Sequence, residues 1–347
     1  MVDEIVHAVD PQGDVVLVLR NPNAPFAVWK DSEWVSRPTP SEVEPVLLTH
    51  SPDDPSEALS ALLSHNTNID EEPEIKFLLS SRHLILASRY FNTKLNGAWK
   101  EATPDPTDRR YHLEASDWDP DALLVLMNVI HGRTRSVPRS IDCEMLAKIA
   151  VLVDYYDCHE VVEVFASMWV DALKNQLPSE CGRDLVLWLL ISYVFQQDDA
   201  FAQITKTAVV KGQGPMPTTN LPIPSIVLDL IDWRRQDAVQ FILNALNDLR
   251  ESFLNHPHDD VQSCVSLGAL DKAMYREKLL GLREPYIDHS VIDMETIARG
   301  FSTPSWDAYE YERISSLSEL VASRLNPKFE EKKKGFSLAE AARQDVV

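Results

Sequence analysis

The segment HEVVE, from His159 to Glu163, comes nearest to a catalytic metal motif in this sequence. A zinc peptidase helix of the HExxH type needs histidines at positions i and i+4, because that spacing presents two imidazoles on one helix face. Here the second position is Glu163 and not a histidine. We interpret the segment as the acidic first turn of a helix, where carboxylates interact favourably with the helix dipole. The sequence therefore predicts no metal site here.

Cys158 beside His159 is the pair that nucleophilic catalysis could use. Adjacent residues on a helix point about 100° apart, so this thiolate–imidazole contact is poor, and we interpret Cys158 as a buried structural residue. The sequence contains no GxSxG, GxxxxGK or GxGxxG motif, and its 10 glycines leave few loops for cradling phosphate. We expect no catalytic residue, no cofactor and no enzymatic activity.

The chain is strongly acidic, which bears on its partners. Its 347 residues include 54 acidic and 33 basic side chains, so the formal net charge is -21. Such a field repels the phosphates of nucleic acids and of anionic membranes. We therefore expect neither nucleic acid nor membrane as a partner.

The cysteines and the apolar runs indicate the compartment. Cys143, Cys158, Cys181 and Cys264 form no CxxC pair and suggest no disulfide framework, which is typical of reduced thiols in an intracellular protein. The opening residues MVDEIVHAVD lack the basic start and apolar core of a secretory signal. The most apolar run, residues 185–195, is shorter than the roughly 18 residues that span a bilayer and predicts a buried helix. We expect an intracellular protein, cytoplasmic or nuclear.

Short strands are predicted in the N-terminal part. Residues 15–19 form one strand, and residues 26–29 are predicted as the returning strand of a hairpin. Residues 31–74 hold six prolines among many acidic and serine residues, which is typical of an inserted loop without regular structure. Residues 75–79 then predict another strand.

A helix is predicted from Ser80 or Ser81 up to Gly97, which suits the position after a helix end. Four apolar residues recur along it at helical spacing: Leu84, Ala87, Phe91 and Leu95. We expect Phe91 to be buried. Residues 111–114 predict a strand, and Asp119 is expected to cap the helix that follows.

The rest of the chain predicts helices almost throughout. One carries Leu146, Ile149, Val153 and Tyr156, and others are expected near residues 160–173, 185–195, 200–210, 225–254, 260–280, 288–299 and 313–325. The charge run EEKKKG near the C-terminus is interpreted as solvated surface.

The order strand pair, strand, helix, strand, helix, helix, helix is that of a BTB/POZ domain, and three segments resemble this family. In IKFLLSSRHLILASRYFNTKLNGAWKE, a strand leads into a helix with His83, the run Ile85-Leu86-Ala87, and Ser88 followed by Phe91. YHLEASDWDPDALLVLMNVIHGRTRSVP and MLAKIAVLVDYYDCHEVVEVFASMWVDAL resemble the later parts. The phrases IHGRTRSVP, KIAVLVDYYDCHE and RDLVLWLLISYVF are similar to fungal members.

This resemblance implies an α+β fold. A BTB/POZ-like domain, a small β-sheet covered by α-helices, would occupy residues 10–177, and an all-helical C-terminal region would follow at residues 178–347. The insertion at about residues 31–74 is much longer than the family's usual link at that place. The family also has polar contacts inside the domain, for which His83 with Asp14 is the candidate pair.

A short motif after the helix that contains Phe91 is the candidate partner site. Family members that recruit a cullin scaffold use a hydrophobic-x-Glu motif there, and Trp99-Lys100-Glu101 occupies the corresponding place. The resemblance implies that Trp99 anchors the partner and that Glu101 makes a polar contact with it. The alternative is that Trp99 covers the core.

The resemblance implies a protein–protein interaction module without catalytic activity. The alternative function is a substrate adaptor of a cullin-type ubiquitin ligase, in which the C-terminal half selects the substrate. Homodimerisation stays open, because only about a dozen residues precede Val15 and leave little for the family's usual interface. The long helix after Ser225 is a second candidate surface for it.

Overall fold

A small sheet and a larger set of helices make up the fold in the computed structural model of this protein, which describes residues 5–30, 74–97, 100–256, 261–303, 316–326 and 328–344. Apart from Glu74, the predicted insertion lies outside the described residues. Within them, the expected mixed α+β class is confirmed, with helices predominating.

The described sheet has four strands: β1 (Ile5–Ala8), β2 (Val15–Arg20), β3 (Ile75–Leu79) and β4 (Tyr111–Ser116), in the order β1-β3-β2-β4. β2 pairs antiparallel with β3, whereas β1 with β3 and β2 with β4 are parallel. Leu17 of β2 lies opposite Phe77 on one side and Leu113 on the other, and all three side chains are buried. The centre of the sheet therefore rests on this apolar row.

The predicted strand at residues 26–29 is wrong. No strand forms there, because both sides of β2 already pair with β3 and β4. The returning strand of the hairpin is instead β3, far along the chain. β1 was not predicted, since three of its four residues are exposed and its apolar pattern is weak.

Thirteen helices lie within the described residues: α1 (Ser81–Ala87), α2 (Arg89–Asn96), α3 (Pro120–Ile130), α4 (Cys143–Tyr156), α5 (His159–Leu173), α6 (Arg183–Val194), α7 (Asp198–Lys211), α8 (Ser225–Leu254), α9 (Val261–Arg276), α10 (Val291–Arg299), α11 (Leu317–Leu325), α12 (Phe329–Lys332) and α13 (Leu338–Gln344). Two 3-10 turns cover Lys100–Ala102 and Lys174–Gln176. The predicted helices are thus present, although the one expected from Ser81 to Asn96 is two helices.

The chain divides into two compact units. Among the described residues, the first unit holds the sheet, α1 to α3 and the turn that joins α4 to α5. The second unit holds most of α4 and α5 and all of α6 to α13. This partition differs from the expected division between residues 177 and 178, which stays a prediction.

Asp14 fixes the start of α1 in the first unit. Its carboxylate accepts hydrogen bonds from the Ser81 backbone N–H at 2.7 Å and from the Ser81 hydroxyl at 2.6 Å. Burial raises the pKa of Asp14, but the Ser81 hydrogen bonds outweigh it, so the pKa lies below its usual value. The candidate pairing of Asp14 with His83 is wrong: both carboxylate oxygens of Asp14 bond to Ser81, and the His83 ring stacks on His131 at 5.1 Å.

The second unit is organised around α8, on which α7 and α9 to α13 pack. The predicted buried helix is α6. Nine of its twelve residues are buried, and they lie all around the helix. This burial agrees with its apolar sequence, which has no polar face. None of the described helices is long and apolar enough to cross a membrane.

The C-terminal charge run is held against the second unit. Phe329 and Phe336, on either side of it, are fully buried. Lys332 Nζ contacts Asp237 Oδ2 at 2.6 Å, and Lys333 Nζ contacts Glu295 Oε2 at 3.0 Å. The prediction of solvated surface is wrong for Lys333, whose side chain is only 17% exposed, because the phenylalanines anchor the segment in the core.

Candidate functional site

Ser88 separates α1 from α2 and so directs Phe91 into the core. Its backbone is extended, with φ -138° and ψ 125°, which is typical of a residue that caps a helix. The Ser88 hydroxyl accepts from the Phe91 backbone N–H at 3.1 Å and donates to the Tyr156 carbonyl at 2.5 Å. The predicted burial of Phe91 is confirmed, with 1% of its surface exposed.

An aromatic cluster surrounds Phe91 in the first unit. It consists of Tyr90, Phe91, Trp118, Tyr155 and Tyr156. Phe91 stacks on Tyr156 with ring centroids 4.8 Å apart and planes 13° apart. Tyr90 lies 5.3 Å from Tyr155. Such ring contacts stabilise the fold by more than the burial of their apolar area alone, so the cluster forms a rigid base for the residues above it.

The phenol of Tyr90 stays protonated in this cluster. Burial raises its pKa, and a hydrogen bond with Tyr155 and the nearby negative charge of Glu101 raise it further. Glu101 lies in the 3-10 turn after α2 and is half-buried. Tyr90 therefore contributes a neutral hydroxyl in the neighbourhood of Glu101.

The loop between this turn and β4 is stiffened by its own hydrogen bonds. The Asp105 carboxylate accepts from the Thr107 backbone N–H at 2.8 Å, and the Asp108 carboxylate accepts from the Arg110 backbone N–H at 3.0 Å. These backbone donors lower the pKa of both carboxyls. Asp108 Oδ2 also contacts His112 Nε2 at 3.0 Å. The loop thus holds two carboxylates ionised beside the sheet.

A cleft of about 540 Å³ lies between α2, this loop and β4. Its floor is apolar and consists of Leu17, Phe91, Leu113 and Tyr156. The charged side chains that line it are Lys94, Lys100, Glu101, Asp105 and Glu114. An apolar floor with a charged rim is the usual composition of a site that binds another protein.

Of the two predicted site residues, the structure describes only Glu101, which lines the cleft. Trp99 lies outside the described residues. Asp105, His112 and Glu114 also line the cleft and were not predicted as site residues. The alternation of apolar and polar residues in YHLEAS is the sequence signal that marks His112 and Glu114 as surface positions of a strand.

The residues considered for catalysis do not line the cleft, and their surroundings do not form a catalytic arrangement. Cys158 is buried, as expected, and burial together with the charge of Asp157 raises the pKa of its thiol to about 12. The side chains of His159, Glu160 and Glu163 are exposed. Within the described ranges, no three His, Cys, Asp or Glu side chains are grouped so that they could hold a metal ion.

No protein-family model matches this chain, and no curated protein matches it.

Proposed function

We propose that this protein is a BTB/POZ-like protein–protein interaction module, without catalytic activity of its own, that holds its partner in the cleft beside β4. The cleft of about 540 Å³ carries this proposal, because its apolar floor is bordered by ionised side chains. The order of β3, α1 with α2, β4, α3, α4 and α5 agrees with the order on which the family resemblance rests, whereas the second strand of its opening pair, at residues 26–29, does not form.

The chemistry of the cleft favours a protein as its occupant. Tyrosines contribute strongly to interface energies, since they combine a large apolar ring with a hydroxyl. Tyr90 and Tyr156 line the cleft together with the buried Phe91 and Leu113. A partner that inserts an apolar side chain here would remove it from water while the rim provides ionic contacts.

Reversing the rim charge should release the partner. We expect the double variant Glu101→Arg and Glu114→Arg to lose its main protein partner in quantitative affinity purification, because both carboxylates line the cleft. Its matched control is Glu160→Arg with Glu163→Arg, which makes the same charge change on exposed positions of α5. Circular dichroism checks the folding of each variant.

The outcome of this comparison is decisive. The proposal is supported if a protein binds the wild type and the control, and if the amount recovered with the cleft variant falls at least about tenfold. An identical set of bound proteins for all three would overturn it. A variant that has lost its helical signal would be replaced by Glu101→Gln with Glu114→Gln, for which the same two outcomes apply.

The second candidate is a substrate adaptor of a cullin-type ubiquitin ligase. The position of Glu101 at the border of the cleft favours it, since Trp99-Lys100-Glu101 resembles the cullin-contact motif. The same comparison distinguishes the adaptor from the plain interaction module. The adaptor is favoured if a cullin is among the released proteins and if its purified N-terminal region binds the wild type directly. If the released proteins include no cullin, the interaction module without this role remains.

A further inference from the structure

The backbone of β4 has one side that faces β2 and one side that faces away. The Tyr111 N–H donates to the Asp14 carbonyl at 2.8 Å, and the Asp117 N–H donates to the Arg20 carbonyl at 3.0 Å. Because alternate residues of a parallel strand bond to the same neighbour, the odd-numbered residues of β4 face β2. His112, Glu114 and Ser116 therefore direct their N–H and C=O groups away from it.

These outward groups lie at the edge of the sheet. β4 is the last strand in the described order and pairs only with β2. Within the described parts of the chain, no hydrogen bond reaches the backbone N–H or C=O of His112, Glu114 or Ser116. Such an edge is a template for pairing with another extended segment.

The cleft lies along this edge. Its lining includes Leu113, whose side chain is on the buried face of β4, and also His112 and Glu114, whose side chains are on the exposed face. Space that contacts both faces of one strand must pass its edge. The 3-10 turn at Lys100–Ala102 also contacts β4 and borders the cleft, so a chain that reaches the outward N–H and C=O groups has to enter between this turn and the strand.

We propose that the partner binds as an extended strand that pairs with β4, with an apolar side chain above Leu113 and a basic side chain beside Glu114. This inference rests on the proposed function and names the form of the partner. Strand addition of this kind takes its affinity from backbone hydrogen bonds and its specificity from alternate side chains. Cross-strand neighbours on one face lie about 5 Å apart, which sets the alternation of basic and apolar residues in the partner.

The negative charge of Glu114 at the edge determines which position of the partner strand is basic. The Glu114 carboxylate, whose side chain is 70% exposed, contacts Arg20 NH2 at 2.9 Å. An exposed pair of this type contributes little, so a second cation can approach the same carboxylate. The apolar position of the partner strand follows from the apolar floor of the cleft, where Phe91 and Tyr156 are almost fully buried.

The test uses a capped synthetic octapeptide that alternates arginine with valine or phenylalanine, titrated against the full chain by calorimetry. Glu114→Ala removes the carboxylate, whereas Glu114→Pro also removes the outward N–H. Proline at this position breaks no bond to β2, because the Glu114 N–H faces the edge. We expect Glu114→Pro to bind the peptide about fivefold more weakly than Glu114→Ala, the loss of one backbone hydrogen bond.

Peptides methylated on alternate backbone amides give a second test that leaves the protein unchanged. Methylation of the amides that face β4 should weaken binding at least about tenfold, and methylation of the other set should change it little. Equal binding by the two methylated peptides would overturn the strand pairing even if Glu114→Pro fails to fold.

Failure of this inference can be distinguished from failure of the proposed function. If the octapeptide does not bind, or binds without regard to methylation, while the Glu101 and Glu114 charge reversal still releases a partner, the strand is wrong and the cleft remains the site. If the charge reversal releases nothing either, both are wrong.

Discussion

Phe91→Ala lowers the free energy of unfolding by about 3–5 kcal/mol, the usual cost of truncating a buried phenylalanine to alanine. Phe91 is 1% exposed, and its ring stacks on Tyr156 at 4.8 Å. Its backbone N–H also donates to the hydroxyl of Ser88, the residue that caps α2. The substitution keeps that cap and leaves a cavity in the floor of the cleft, so the loss reports packing alone.

The measurement is urea denaturation followed by circular dichroism, with Leu86→Ala as the control. Leu86 lies on the adjacent helix α1 and is 88% exposed, so its truncation should change stability by less than about 0.5 kcal/mol. A Phe91→Ala midpoint equal to that of the control would show that the stacked cluster does not hold the first unit together.

Gly335→Ala should dislodge the C-terminal segment of the second unit. A Cβ atom at Gly335 would lie 1.9 Å from the Ala202 carbonyl oxygen and 2.8 Å from the Lys206 backbone nitrogen. Both are backbone atoms of α7 and cannot rotate away. Phe336, which contacts Phe201 at 5.5 Å, must then leave its buried position. We expect a loss of about 3 kcal/mol, comparable to the loss of a buried phenylalanine.

Gly268→Ala is the matched control for this change. Gly268 lies within α9, and nothing lies within 4 Å of the position that its Cβ would take. Alanine favours helix over glycine, so the control should gain up to about 1 kcal/mol. Denaturation midpoints and limited proteolysis near the tail measure both effects. An unchanged midpoint for Gly335→Ala would contradict the tight contact between this segment and α7.

The sequence predicted helices and central strands well because their signals are local. The continuous apolar run from Val15 to Leu19 predicted β2, and the Asp119 carboxylate caps α3 by accepting from the Ala122 N–H at 2.9 Å, as expected. The break at Ser88 was missed, because the apolar spacing continues across it. It depends on the Tyr156 carbonyl, a partner 68 residues away.

The cleft could be predicted only in part, for the same reason. Glu101 was singled out by a family resemblance and lies at the rim. The exposure of β4 at an edge depends on which strands pair, and the sequence suggested a hairpin partner for β2 at residues 26–29 that the structure does not contain. Likewise, Phe329 and Phe336 occur in short segments whose burial depends on distant helices.

Hydrogen exchange of the full chain, alone and with the partner that charge reversal releases, tests the location of the site most directly. We expect binding to slow exchange within residues 100–116, which form the loop and β4, since the partner would cover the cleft. The N–H groups of His112, Glu114 and Ser116 should change most, because they have no partner within the described residues. Protection confined to α8 to α11, with residues 100–116 unchanged, would contradict a binding site beside β4.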